Sequence, residues 1–154
     1  MPFAMEQLTQ GLTVLAKLDP QSMNAGTDTS MTNIDLSKVR RLLLLLQTGS
    51  LGAAGTVDAK LRASKTSGGT YTDITGAAIT QLTVGGSGGS KVCTIEVRDD
   101  QLETVVGAGY KFVQVSITVG GNAVLIGAVV LGAEAEYKPA KSQDIAAVAQ
   151  RVVV

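Results

Sequence analysis

Hydrophobic and polar positions alternate along most of this chain in short runs, which Gly, Asn, Asp and Ser separate. In residues 55–65, GTVDAKLRASK, aliphatic side chains occupy one parity and mostly charged side chains the other. A period of two is typical of a β-strand with one wet face, and short strands at close spacing favour an antiparallel sandwich or barrel. Eight predicted strands suit two packed sheets: Leu12 to Leu18, Thr29 to Ile34, Arg41 to Thr48, Thr56 to Lys65, Ala77 to Val84, Lys91 to Arg98, Tyr110 to Val119 and Ala123 to Glu134.

The run RRLLLLLQTGSL departs from this alternation, because its five leucines offer apolar side chains to both faces of a strand. Leu42, Leu44 and Leu46 share one face, and leaving three leucines in water would forgo on the order of 5 kcal/mol. A membrane, the interior of a large sheet, a second layer of the domain or another chain could cover them. Since a spanning helix needs about 20 apolar residues, a membrane is the weakest of these. We predict a strand buried on both faces, by the sandwich core on one side and by the chain's own arms or a neighbouring chain on the other.

Two glycine-rich segments are predicted to be hairpin loops. Gly120 to Asn122 lie between the last two strands and tolerate positive φ. GGSGGS, at Gly85 to Ser90, invites comparison with phosphate-binding loops, but those lead from a strand into a helix, and here a strand follows.

The two ends of the chain differ from the sandwich, which we place at residues 11–137. Residues 1–10 form a short apolar arm, and residues 138–154 form a second arm with a short helix. Ser142 is the predicted N-cap of that helix and Asp144 lies in its first turn. Its apolar side consists of Ile145, Val148 and Ala149. A second short helical turn is predicted near RDDQLETVVG, capped by Asp99 or Asp100.

Composition narrows the possible functions. Charged residues make up only 17% of the chain, against roughly 25% in an average protein. Thirteen basic residues balance thirteen acidic ones without forming a stripe, and aromatic residues are few, so direct nucleic-acid binding is not expected. No segment has the pattern of a signal peptide or a membrane span.

The sequence has few of the residues that catalysis usually requires. Histidine is absent and Cys93 is the only thiol, which removes the usual general base, Cys-rich metal sites and an intrachain disulfide. The acidic groups around Asp99 and Glu134 lack the spacing of a calcium loop. We therefore expect no catalytic residues, no metal, no cofactor and no enzymatic activity.

Three stretches give the chain a resemblance to the small head decoration, or cement, proteins of tailed bacteriophages. They are LTVLAKLDPQSMNAGT, GTVDAKLRASKTSGGTYTDITGAAITQLT and YKFVQVSITVGGNAVLIGAVVLGAEAEYKPA, and the resemblance covers roughly residues 11–140. It implies an all-β, jelly-roll-like sandwich on the outer surface of an icosahedral capsid, assembled in the host cytoplasm. It also implies a homotrimer or dimer that stabilises the head by clamping adjacent major capsid proteins.

The resemblance brings no functional motif, so the interface residues are our own hypothesis from apolar surplus and terminal position. They are Leu42, Leu44, Leu46, Phe3, Leu8, Ile145, Val148 and Val152. The alternative function is a carbohydrate-binding sandwich module on a virion or cell surface. Only Tyr71 and Tyr110 offer aromatic platforms for a sugar, and Trp is absent.

Overall fold

Two antiparallel sheets face each other in the computed structural model, which describes residues 7–86, 88–137 and 140–153. The first sheet has the strand order β1-β10-β4-β8, and the second has the order β2-β9-β5-β6, with β3 added to β9 and β7 to β5. The strands are β1 Leu12–Met23, β2 Gly26–Asp28, β3 Ile34–Asp35, β4 Val39–Leu51, β5 Thr56–Ser64, β6 Thr72–Ala78, β7 Leu82–Thr83, β8 Val92–Arg98, β9 Phe112–Gly120 and β10 Val124–Ala135, with helices α1 Leu8–Gly11 and α2 Asp99–Val105.

The strand order defines a jelly roll. Leaving out the two-residue strands β3 and β7, the first main strand pairs with the last, the second with the seventh, the third with the sixth and the fourth with the fifth. This is the pairing produced when one long hairpin of strands is rolled up into two sheets. The predicted all-β, jelly-roll-like sandwich is confirmed.

The core lies between the sheets, where inward residues of both layers interdigitate. The run in β4 contributes Leu42, Leu44 and Leu46, which are 0%, 0% and 1% exposed. The predicted alternation in β5 is also found, because Val57 and Leu61 are fully buried while the charged residues between them lie outside. Burial of this alternate set fixes the register, since a slip by one residue would turn every side chain to the other face.

Two predicted strands are wrong in part. In place of a strand at 29–34, β2 ends at Asp28, whose carboxylate accepts hydrogen bonds from the N–H and the hydroxyl of Ser30 (2.9 and 2.7 Å). That local turn competes with sheet pairing until β3 begins at Ile34. The strand predicted at 77–84 is divided, because β6 runs from Thr72 to Ala78 and the short strand β7 begins only at Leu82.

The two predicted hairpin loops are wrong for a shared reason. In a jelly roll most consecutive strands lie in opposite sheets. The chain therefore passes from the second sheet to the first between β9 and β10, and again between β7 and β8. Positive φ was correctly expected at the first loop, where Gly121 has a φ of 67°. A Cβ on Gly121 would clash with the main-chain oxygen of Ala54.

The helical predictions have different outcomes. The helical turn after β8 is confirmed as α2, although it begins after Arg98, whose N–H donates to the Gln101 side chain (3.2 Å). At the C-terminal end a 3₁₀ helix, Ala140–Gln143, replaces the amphipathic α-helix. Residues 144–153 are not helical, because Asp144 bonds to strand β1 rather than to a first helical turn.

Candidate interaction surface

The outer side of the first sheet is apolar. Paired residues of neighbouring strands point to the same side of a sheet, and Leu43 and Leu45 pair with Leu131 and Val129 of β10. Val129 is 37% exposed, and Leu43, Leu45 and Leu131 are half-buried. We call this surface the apolar face; its residues are Leu43, Leu45, Val92, Leu125, Val129 and Leu131.

The predicted parity of the leucine run is therefore corrected. Leu42, Leu44 and Leu46 were predicted to contact a neighbouring chain, but they are core residues of the monomer. Leu43 and Leu45 lie on the outer side instead. The predicted burial of one face by the core is confirmed, and the question of what covers the second face now concerns these two leucines.

Two shallow clefts lie on the apolar face. One of about 340 Å³ forms where Gly127 leaves a gap between Pro20, Leu45 and Val92. A second of about 240 Å³ is lined by Leu43 and by other residues of β1, β4, β8 and β10. Each is of a size for one or two apolar side chains of a partner, and both are too shallow and too poor in convergent polar groups for an enclosed small-molecule site.

Charges of both signs lie around the apolar face, and two opposite-charge pairs are in contact there. Arg41 Nε lies 3.2 Å from a carboxylate oxygen of Glu134, and Lys17 bonds to Asp19. Such exposed pairs contribute little stability. They leave the rim electrically balanced, so the surface attracts neither a phosphate backbone nor a strongly charged protein over distance.

The outer side of the second sheet is polar. Asp73 accepts hydrogen bonds from Lys60 (2.7 Å) and from Arg62 (3.0 Å), and Arg62 also reaches Gln114 (3.3 Å). These side chains are partly exposed and satisfy one another across neighbouring strands. The two outer faces of the sandwich thus differ: one is adapted to water, and the other exposes aliphatic side chains.

An ion pair fastens the C-terminal segment to the sandwich. Arg151 donates from Nε and Nη2 to the two carboxylate oxygens of Asp144 (2.7 and 2.6 Å), and the carboxylate also accepts from the Thr13 hydroxyl (2.9 Å) and the Val14 N–H (2.7 Å). The side chains are only 21% and 12% exposed for Arg151 and Asp144. Chiefly because of Arg151, the pKa of the Asp144 carboxyl is held below its usual value, against the opposing effect of partial burial. We call residues 140–153 the C-terminal strap.

The strap covers one end of the free edge of β1. The Ile145 N–H donates to the Val14 carbonyl oxygen (2.9 Å), and Arg151 Nη2 donates to that of Leu12 (3.1 Å). Of the other predicted interface residues, Leu8 and Val148 line a cleft of about 280 Å³ at this edge, and Val152 is 73% exposed.

Phe3 lies outside the described residues. Of the predicted interface residues that the structure describes, Leu8, Ile145 and Val148 lie close to β1. They are separate from the core leucines Leu42, Leu44 and Leu46.

The sugar platforms considered above are engaged within the molecule. The Tyr71 hydroxyl donates to Asn33 Oδ1 (2.8 Å) and accepts from Thr32 and from the Asn33 N–H (both 3.1 Å), and its ring is half-buried. Tyr110 packs against the core with Lys65 Nζ 5.2 Å from its ring centre. Both rings are half-buried, and the Tyr71 hydroxyl and the Tyr110 ring already have partners within the molecule.

Among the described residues, no group of three or more acidic or thiol side chains could hold a metal ion. Cys93 is half-buried and belongs to the margin of the core. No helix in this part of the chain is both long enough and apolar enough to cross a membrane.

Sequence reasoning missed the Asp144–Arg151 pair and the parity of the leucines. The pair joins residues seven positions apart that meet only because both contact β1. The parity signal is contradictory, because polar Gln47 shares the parity of Leu45 while Arg40 shares that of Leu44.

No protein-family model and no curated protein matches the chain. Among solved structures it is similar to a chain of infectious bursal disease virus Gt strain, at 13% identity and a TM-score of 0.42, over 84% of this chain and 35% of that one. It is also similar to a chain of the Gx strain of the same virus, at 12% identity and a TM-score of 0.41, over 84% of this chain and 33% of that one. A chain of broad bean stain virus is similar at 14% identity and a TM-score of 0.35, over 80% of this chain and 84% of that one. The chain spans about a third of the length of the two bursal disease virus chains. With identities and scores this low, the fold assignment stands on the strand order itself.

Proposed function

We propose that this chain is a structural virion protein of the decoration, or cement, type. It attaches by its apolar face to the outer surface of a phage head and bridges adjacent major capsid proteins, as a homotrimer or dimer and without catalysis. The observation that carries the proposal is the difference between the two outer faces of the sandwich, one polar and one aliphatic.

The apolar face has the size of a weak contact, which is effective when many copies bind the same shell. With strands about 4.8 Å apart and about 3.3 Å per residue, four strands of seven residues cover about 440 Å². This is about half of the roughly 800 Å² that each partner of a standard interface buries. A single contact of this area is weak, but many copies on a symmetric shell add through avidity.

The described parts of the two ends support the proposal by their position. Leu8 and the C-terminal strap lie beside the apolar face, and together they line the cleft at β1. They can extend the contact beyond the four strands, because Leu8 and Val152 expose aliphatic surface at 76% and 73%. Leu131 of the apolar face lines the same cleft as Leu8 and Val148, so a contact made by the four strands can continue onto the strap.

The direct test uses heads of the phage that encodes the chain, prepared with this gene deleted. Purified protein is mixed with the heads, and bound copies are counted after sedimentation. We expect saturable binding at micromolar concentration, with a copy number set by the shell's symmetry, and heads that resist heating better than bare heads. Absence of binding at saturating concentration would refute the function.

A further inference from the structure

The two outer strands of the first sheet are protected very differently. β1 carries three devices that natural proteins use to prevent strand addition. The strap bonds to Val14 and Leu12, the pairing with β10 shifts register twice, and Pro20 removes a donor. At the opposite edge, β8 has none of these among the residues that the structure describes. Its pairing with β4 runs residue for residue from Val92 to Arg98 without a shift.

The outer main-chain side of β8 lacks a partner within the described part of the chain. β8 pairs only with β4, and apart from the Arg98 N–H, which donates to Gln101, its main chain bonds to no other segment there. The strand contains no Pro or Gly and is rich in β-branched residues. A regular seven-residue edge of this kind is a template for another strand.

The side chains of β8 select the partner strand. Ile95 and Val97 point into the core at 8% and 4% exposure, whereas Val92, Thr94 and Glu96 are exposed on the outer side. A strand added here needs apolar residues on the core side and mainly polar residues on the other. A second β8 supplies that pattern.

We propose that two copies of this chain pair through their β8 strands, antiparallel about a two-fold axis at Ile95. This register pairs all seven residues, placing Thr94 of each copy opposite Glu96 of the other and Val92 opposite Arg98. No like charges oppose each other. A two-fold axis at Glu96 would set Glu96 against Glu96, which is unfavourable.

The pairing would join two four-stranded sheets into one of eight strands, with both apolar faces on the same side. The apolar area offered to a shell would then double, to about 880 Å² by the same strand spacings. The proposal rests on the dimer, one of the two homo-oligomers named in the proposed function, but not on attachment to a capsid.

Sedimentation equilibrium over a range of concentrations tests the pairing with the full chain and three variants. Thr94→Glu places glutamates opposite each other twice and should raise the dimer dissociation constant about tenfold or more. Thr94→Lys, the matched control, places Lys opposite Glu96 and should keep or tighten the dimer. Thr94→Glu combined with Glu96→Lys restores opposite charges and should recover it. Because both side chains are exposed, unfolding temperatures should remain close to that of the wild type.

Three results would overturn the proposal. They are a wild-type monomer at high micromolar concentration, equal weakening by Thr94→Glu and Thr94→Lys, and an oligomer insensitive to both. Binding to heads is measured separately. If the protein is a dimer that does not bind heads, the capsid role is refuted and the β8 pairing stands. If it is a monomer that binds heads, the β8 pairing is refuted and the capsid role stands.

Discussion

Truncating neighbouring leucines of the β4 run should have very different costs. Leu44 is fully buried and pairs with Val130 and Ile95 in the flanking strands, whereas Leu45 lies half-buried on the apolar face. Leu44→Ala removes three buried carbons, worth about 0.8 kcal/mol each, and leaves a cavity, so we expect a loss of about 3 kcal/mol. Leu45→Ala removes the same atoms from a partly wet surface and should cost about 1 kcal/mol.

The assay is thermal and urea unfolding followed by circular dichroism, at a concentration at which the protein is monomeric. For a chain of this length about 3 kcal/mol corresponds to a fall in Tm of roughly 6–12 °C for Leu44→Ala, against about 2–4 °C for Leu45→Ala. Leu45 is the matched control, since it has the same side chain one position along the same strand. Equal losses for both variants in the monomer would refute the assignment of core and outer faces.

Four further predictions concern the strap, a loop and an aromatic residue. Arg151→Ala leaves the Asp144 carboxylate without its ion pair and should cost about 2 kcal/mol, seen as faster hydrogen exchange in the strap. The folded-state pKa of Asp144 lies below its usual value near 3.8, so its contribution to stability is complete above about pH 5 and is lost as the pH falls through the lowered value. Proteolysis of the strap should increase over the same pH range. Strap cleavage that does not change with pH would contradict this prediction. Gly121→Ala must adopt positive φ and displace the Ala54 carbonyl, so urea unfolding should show a loss of more than 3 kcal/mol. Tyr71→Phe loses three hydrogen bonds and about 1–2 kcal/mol, and neither it nor the wild type should bind a glycan array.

The strands with strict alternation could be predicted from sequence because one face of each is buried. In β5 the parity of Val57 and Leu61 is unambiguous, since charged residues occupy the opposite parity at positions 58, 60 and 62. In β4 the same method finds the strand but cannot orient it, because leucines occupy both parities. The choice between Leu44 and Leu45 is made by the second sheet, which covers only one of them.

Connectivity was harder to predict than strand existence. A glycine-containing turn such as that at Gly121 satisfies the local requirements of a hairpin and of a crossing between sheets equally well. Only the pairing of β10 with β1, more than a hundred residues away, decides between them. The Asp144–Arg151 pair was invisible for the same reason, because its partners on β1 are equally distant in sequence.

The most direct test of the central claim is the affinity of two charged variants for heads that lack this protein. Val129→Asp introduces a carboxylate at the centre of the apolar face, where Val129 is 37% exposed. Thr75→Asp introduces the same charge at an exposed position of the second sheet. Both variants should fold, as circular dichroism will verify. We predict that Val129→Asp weakens head binding at least tenfold while Thr75→Asp binds as the wild type does; unchanged binding by Val129→Asp, or equal loss in both, would contradict docking through the apolar face.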